Sequence, residues 1–177
     1  TYTLTVTDAS NGCSATDNVI ITLNNTLPNI DAGNDAAITC LITSLNLNGT
    51  SSTPNVTFGW SGPNGFNSAI ANPPVTDAGT YTLTVTDGTN GCTATDNVII
   101  SINNTLPNVD AGNDATINCI TPTLNLNGTS TTPNVTYGWV GPNGFTSNIA
   151  NPATNADGTY TLTVTDGTNG CTATDNV

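Results

Sequence analysis

The chain contains no lysine, arginine or histidine, and its 12 acidic residues are all aspartate, so a net charge of −12 stands unopposed by any side-chain cation. Each absence removes a class of function. Nucleic-acid binding needs lysine and arginine to displace counterions from phosphates, and attachment to anionic lipid needs a basic patch; both are excluded. A serine or thiol nucleophile needs an adjacent base, and aspartate is the one side chain left to act as one. Paired aspartates can hydrolyse glycosides in principle, but the same residues recurring in copy after copy do not describe one active site, and no enzyme is expected. The missing lysine also rules out Lys–Asn isopeptide cross-links. Long apolar runs are lacking too. Val98–Ile100 is as long as any aliphatic run gets, against about 20 residues for a membrane-spanning helix, so no membrane insertion is expected.

What is present is a repeat. Thr-Tyr-Thr-Leu-Thr-Val-Thr-Asp begins at Thr1, Thr80 and Thr159, a period of 79 residues. Roughly 57 positions of the first period recur identically in the second, the self-similarity that marks repeat architectures. A near-identical module in tandem supplies length and multivalency. Residues 1–26 match the last third of a repeat, 27–105 form a complete one, and 106–177 form a near-complete one lacking the end of its last strand. The expectation is a window on a longer chain. Low charge with abundant Gly, Asn, Thr and Ser can signal disorder, but alternating apolar residues, tryptophan and recurring cysteines argue for folded modules.

Within 27–105 no apolar period of 3.6 appears, and β-branched residues dominate. Tyr81, Leu83 and Val85 alternate with Thr80, Thr82, Thr84 and Thr86, the pattern of a half-buried antiparallel strand. Gly88–Gly91 supplies a turn, and Cys92–Asn103 returns with Val98, Ile100 and Ile102 inward, giving a hairpin. Upstream, Leu45 and Leu47 alternate with asparagines, Val56, Phe58 and Trp60 alternate with Thr57 and Gly59, and Gly62–Gly65 is a turn. Six or seven short strands predict an all-β fold of tandem β-sandwich modules. The expected core is Leu45, Leu47, Val56, Phe58, Trp60, Ile70, Tyr81, Leu83, Val85, Val98, Ile100 and Ile102. Such a thin core usually needs a covalent staple.

Cys13, Cys40, Cys92, Cys119 and Cys171 recur with the module. Metal ligation would want close cysteine pairs or histidine partners, so disulfides are expected, in an oxidising, extracellular setting. Two registers are open: Cys40–Cys92 with Cys119–Cys171, sending Cys13 to an upstream cysteine, or Cys13–Cys40 with Cys92–Cys119. Loop-closure entropy, about 4 kcal/mol for either, does not choose. The first is preferred because both partners then lie in one module.

The order of features resembles an immunoglobulin-like module. Trp60 lies on a central strand, a cysteine pair brackets it, and Asp77-x-Gly79-x-Tyr81 looks like a tyrosine corner; in the next repeat the aspartate moves one position, to Asp157. The phrases Asp31–Asp35, Leu45–Gly49, Gly59–Phe66 and Thr80–Asp87 running on to Asn90–Asp96 resemble the PKD-like and Ig-like repeats of giant surface proteins of Bacteroidota. These include gliding-motility adhesins of the SprB type and other type 9-secreted filaments. The resemblance covers essentially the whole chain and implies a cell-surface fibre.

Candidate sites follow. Asp31, Asn34 and Asp35, repeated as Asp110, Asn113 and Asp114, offer hard oxygen ligands of the kind calcium prefers; the competing reading is a plain turn. No cofactor is required, and calcium is the one candidate. The threonine rows could present hydroxyls to ice or glycan, although threonine is simply a favoured strand residue. Asn24, Asn48, Asn55, Asn103, Asn127 and Asn134 each begin an Asn-x-Ser/Thr sequon. The expected function is a structural stalk or filament of a secreted bacterial surface adhesin, with neighbouring repeats as its first partners and surface glycans or other cells as further ones. Two alternatives are a polysaccharide-binding module using Trp60, Trp139, Phe66 or Phe145, and a self-assembling matrix or sheath fibre.

Overall fold

A computed structural model describes all 177 residues. It contains β-strands and two single 3-10 turns, with no α-helix. Residues 1–26 contribute one hairpin, β1 (Tyr2–Thr7) with β2 (Ser14–Val19). The complete repeat holds β3 (Ala36–Thr39), β4 (Leu45–Asn46), β5 (Val56–Ser61), β6 (Asn67–Ser68), β7 (Pro74–Val75), β8 (Gly79–Asp87) and β9 (Thr93–Asn103). The final repeat holds β10 (Leu124–Asn125), β11 (Val135–Val140), β12 (Thr146–Ser147), β13 (Ala153–Thr154), β14 (Thr161–Asp166) and β15 (Thr172–Asn176).

In the complete repeat a five-stranded sheet in the order β3-β9-β8-β5-β6 faces a small two-stranded sheet, β4-β7. Every pairing is antiparallel except β3 with β9, which is parallel and sets Ile38 beside Ile102 and Thr39 beside Asn103. This is an Ig-like β-sandwich, and the sheets close on Trp60, Tyr81, Leu83, Val85, Val98 and Ile100. Alternation dictates that outcome. Tyr81, Leu83 and Val85 are buried while the threonines between them stay half-exposed, and burying three such side chains is worth several kcal/mol.

Two expected core residues lie outside. Ile102 is 51 % exposed and Ile70 58 % exposed. Ile102 has the inward phase, but β8 begins at Gly79, opposite Ile100, so β9 runs on past the sheet with only β3 beside it. Ile70 falls in a bend after β6. Ala32, Ile38 and Val75 are buried instead. They come from a turn phrase, a four-residue strand and a two-residue strand, all too short to show a period.

The tyrosine corner is present in both repeats. The Tyr81 hydroxyl donates to the Asp77 backbone carbonyl at 2.8 Å, and Tyr160 donates to that of Ala156 at 2.8 Å. The acceptor is main chain, so moving the aspartate to Asp157 costs the corner nothing. The ring lies flat against Gly62, where a Cβ would come within 2.4 Å of it; only glycine fits there.

Candidate functional site: the junction between repeats

The site is built from one hairpin turn and the segment that enters the repeat carrying it. In the turn after β8, Asp87 Oδ1 accepts the Thr89 amide at 2.7 Å and Asn90 Oδ1 accepts the Cys92 amide at 2.8 Å. With its oxygen committed inside the turn, Asn90 turns its amide nitrogen outward. Nδ2 donates to Asn24 Oδ1 at 3.2 Å and to the Thr26 carbonyl at 3.0 Å. Seventy-nine residues on, Asn169 Nδ2 donates to Asn103 Oδ1 at 3.1 Å and to the Thr105 carbonyl at 2.9 Å. The hairpin tip of each repeat therefore grips the linker leading into it. In the sequence Asn90 reads as part of a turn and Asn24 and Asn103 as sequons; the recurrence of Asn-Asn-Thr at 24–26 and 103–105 is the signal that could have marked the junction.

A disulfide locks the second junction. Cys40 is bonded to Cys171, with Cα atoms 5.0 Å apart. The expected pairs, Cys40–Cys92 and Cys119–Cys171, are not formed: Cys13, Cys92 and Cys119 are free thiols. The parallel pairing of β3 with β9 explains why. It sets Thr39 beside Asn103, at the end of β9, whereas Cys92 stands before its start. Ten residue steps of extended strand put roughly 33 Å between those two ends, while a disulfide needs Cα atoms within about 7 Å. The same pairing carries Cys40 to the linker that Asn169 holds, two residues from Cys171. Around the bridge Asn169 and Cys171 are buried; at the other junction Asn90 and Cys92 are half-exposed.

The acidic residues act as caps on backbone amides. Asp31 Oδ1 accepts from Gly33 at 2.8 Å, and Asp110 does the same for Gly112 at 2.8 Å. Asp35 Oδ1 accepts from Ile99 at 2.7 Å, which ties the Asp31–Asp35 phrase to β9. Asp96 Oδ2 accepts from Ala32 at 2.8 Å and Asp175 Oδ2 from Ala111 at 2.8 Å. The Ala111 amide, with that of Asn176, holds the Asp175 carboxyl below the usual carboxylate range. Ser10 does the same for Asp8 in the first hairpin turn, through its hydroxyl and then its amide. No three Asp or Cys side chains gather as a metal-binding group. Asn34, Asn113 and Asp114 are exposed.

The aromatic residues of the complete and final repeats lie in their cores or pack against them. Trp60 and Trp139 are each at most 2 % exposed, and their indole N–H groups donate to Ala71 and Ala150 carbonyls at 3.0 and 3.1 Å. Phe66 and Phe145 pack edge-on against Tyr81 and Tyr160 at 5.2 and 5.1 Å. The tryptophans offer no surface to a sugar. Apart from Ile99, which is 51 % exposed opposite Thr80, the outer face of β5, β8 and β9 carries small polar groups, with Thr84 between Gly59 and Thr95 and Thr86 between Thr57 and Thr93. Among the sequons, Asn55 and Asn134 sit at positive φ, 55° and 56°, in the tight turns that open β5 and β11.

No protein-family model matches the chain, and no curated protein matches its sequence. Solved structures similar to the chain are multi-domain fragments. They include three N-terminal domains of the bacteriophage RB49 Highly Immunogenic Outer Capsid protein, at TM-score 0.48 and 14 % identity over 85 % of this chain and 57 % of that one. An I-band fragment of titin matches at TM-score 0.41 and 13 % identity, over 84 % of this chain and 63 % of that one. Fibronectin(III)-like modules of Clostridium thermocellum CbhA match at TM-score 0.33 and 15 % identity, over 85 % of this chain and 91 % of that one. This chain spans little more than half the length of the first of these structures.

Proposed function

We propose that this chain is a load-bearing stretch of a secreted surface filament, the stalk of a bacterial adhesin whose sequence phrasing resembles that of the gliding and type 9-secreted adhesins of Bacteroidota. The observation that carries the reading is the junction. The same asparagine grips the same linker at both repeat boundaries, and at one of them a disulfide joins the two repeats covalently. A chain whose task were chemistry would spend its polar groups on a pocket; this one spends them on holding repeats in line. The unopposed negative charge keeps neighbouring fibres apart. Many weak contacts along a fibre sum to firm attachment.

Single-molecule pulling tests the reading. Oxidised protein should release less length on unfolding than protein treated with reductant. Equal released lengths in the two states would leave the bridge without a mechanical role and sink the load-bearing reading.

A further inference from the structure

We infer that Cys40–Cys171 is one rung of a repeating inter-module ladder, and that Cys92 and Cys119 are bonding sites for adjacent copies of the repeat. The bridge spans 131 residues. Shifted by the 79-residue period, the same rung joins Cys119 to a hairpin cysteine 131 residues downstream, and Cys92 to a cysteine 131 residues upstream, wherever further copies occur. Within residues 1–177 only Cys40 and Cys171 stand at that spacing, and the thiols left free, Cys13, Cys92 and Cys119, are those the rule leaves without a partner.

The second junction and the first share the features that build a rung. The hairpin turns have the same internal bonds: Asp166 accepts the Thr168 amide at 2.7 Å and Asn169 accepts that of Cys171 at 2.8 Å, as Asp87 and Asn90 do in the preceding turn. The linker contacts are also the same. At the bonded junction Leu41 lies against Gly170, with Leu41 Cβ 2.8 Å from where a glycine Cβ would be, while the equivalent Gly91 has nothing within 4 Å. Gly91 and Cys92 thus repeat the turn that Leu41 meets at the bonded junction, and wherever a copy precedes, its segment equivalent to Thr39–Ile42 is the one that would meet them. On the donor side, Thr39 turns that segment back by accepting the Ile42 amide at 3.0 Å, and Asn118 does the same for Thr121 at 2.9 Å. The turn that carries Cys119 and Ile120 is therefore closed by the same local bonds as the one that carries Cys40 and Leu41.

Each rung forms by joining two thiols into an S–S bond. Two protons and two electrons leave, and a small disulfide oxidant such as oxidised glutathione takes them up and departs as two thiols. Because a rung outspans the repeat, successive rungs overlap, and every backbone bond in the interior of an array lies inside at least one covalent loop. Pairing within modules would leave each linker uncovered.

The ladder is tested by lengthening the chain with one more copy of residues 27–105, inserted after Thr105, and counting thiols by alkylation and intact mass. The seven cysteines, five present and two added, should give two rungs and three free thiols, with both rungs mapped at 131-residue spacing. One free thiol, from three within-module pairs, would overturn the ladder, and so would five, from a bridge that does not propagate. A companion measurement uses the 177-residue chain itself. Asn104→Arg places the single trypsin site in the exposed linker of a protein that has no other lysine or arginine. After cutting, the oxidised chain should stay one species and part into two only on reduction. Separation without reductant would overturn the bridge on which the ladder stands.

Discussion

The same eight residues, Thr-Tyr-Thr-Leu-Thr-Val-Thr-Asp, live two different lives in this molecule. At 80–87 they form the centre of a five-stranded sheet, and Leu83 is fully buried; at 1–8 they form half of an isolated hairpin, and Leu4 is 63 % exposed. The hairpin register is the same in both, Leu83 opposite Asp96 and Leu4 opposite Asp17. A second contrast runs the other way. Ala36–Thr39 is a strand because β9 extends to Asn103 beside it, whereas residues 115–118 have no such neighbour and form no strand. Local sequence sets which residues pair across a turn; burial comes from what the rest of the repeat places on top.

Substitutions at equivalent positions sharpen that contrast, and the largest difference belongs to the cysteines. Cys171→Ser opens a 131-residue loop, for which chain entropy gives up to about 5 kcal/mol, while Cys13→Ser removes a free thiol and should leave thermal unfolding unchanged. Leu83→Ala should cost about 2–5 kcal/mol of the complete repeat's stability; Leu4→Ala, the same residue in the exposed hairpin, should fall within about 0.5 kcal/mol of zero. Denaturant melts of the two variants side by side decide it, and equal losses would break the comparison. Asn169→Ala removes a buried side chain that bonds the Cys171 amide, Asn103 and the Thr105 carbonyl and should destabilise by about 1–3 kcal/mol, more than Asn90→Ala at the open junction.

The smallest effects are electrostatic. The Asp175 carboxyl titrates lower in the folded chain than its ordinary value of 3.8. Its contribution is therefore present above that value and fades as pH falls through the folded one, so acid melts should show a shallower loss in Asp175→Asn. Tyr81 has the opposite sense: burial, and then the charge of Asp77, push its phenol above 10.0. Its stabilisation is full below pH 10 and is lost as the unfolded chain ionises above it. Millimolar calcium is the last probe. A rise in melting temperature that Asp35→Asn abolishes would give the Asp31–Asp35 phrase a metal in addition to its capping role.

Much of the sandwich was legible in the residues. Alternation at Tyr81–Val85, the turn at Gly88–Gly91 and the corner at Tyr81 depend on contacts close in sequence or on a period of two. The junction was not. Cysteine pairing depends on which end of β9 meets β3, a parallel contact between residues more than sixty positions apart, and four residues reading Ala-Ala-Ile-Thr carry no sign of their direction. Proximity along the chain favours partners within one module, and the parallel strand overrules it. The tryptophans invited a sugar-binding reading because aromatic residues stack on sugars; their depth, with each indole N–H already bonded, is a property of the closed sandwich.

The reach of the bridge has a consequence for length. β9 runs from one junction to the next, so a folded repeat measures roughly 35–40 Å along the fibre, about eleven residues of extended strand. In an array carrying the ladder, a pull on the ends need not follow the backbone. It passes from Cys40 to Cys171 across the sulfurs, then along the 27 positions that separate a hairpin cysteine from the next loop cysteine, as Cys92 from Cys119, and crosses again. That route offers about 100 Å of taut chain for every two repeats, against roughly 70–80 Å folded and more than about 500 Å if the backbone alone carried the load. Such a fibre would behave less like a spring of unfolding domains than like a rope, whose length under strain is set by its chemistry and hardly at all by whether its domains stay folded.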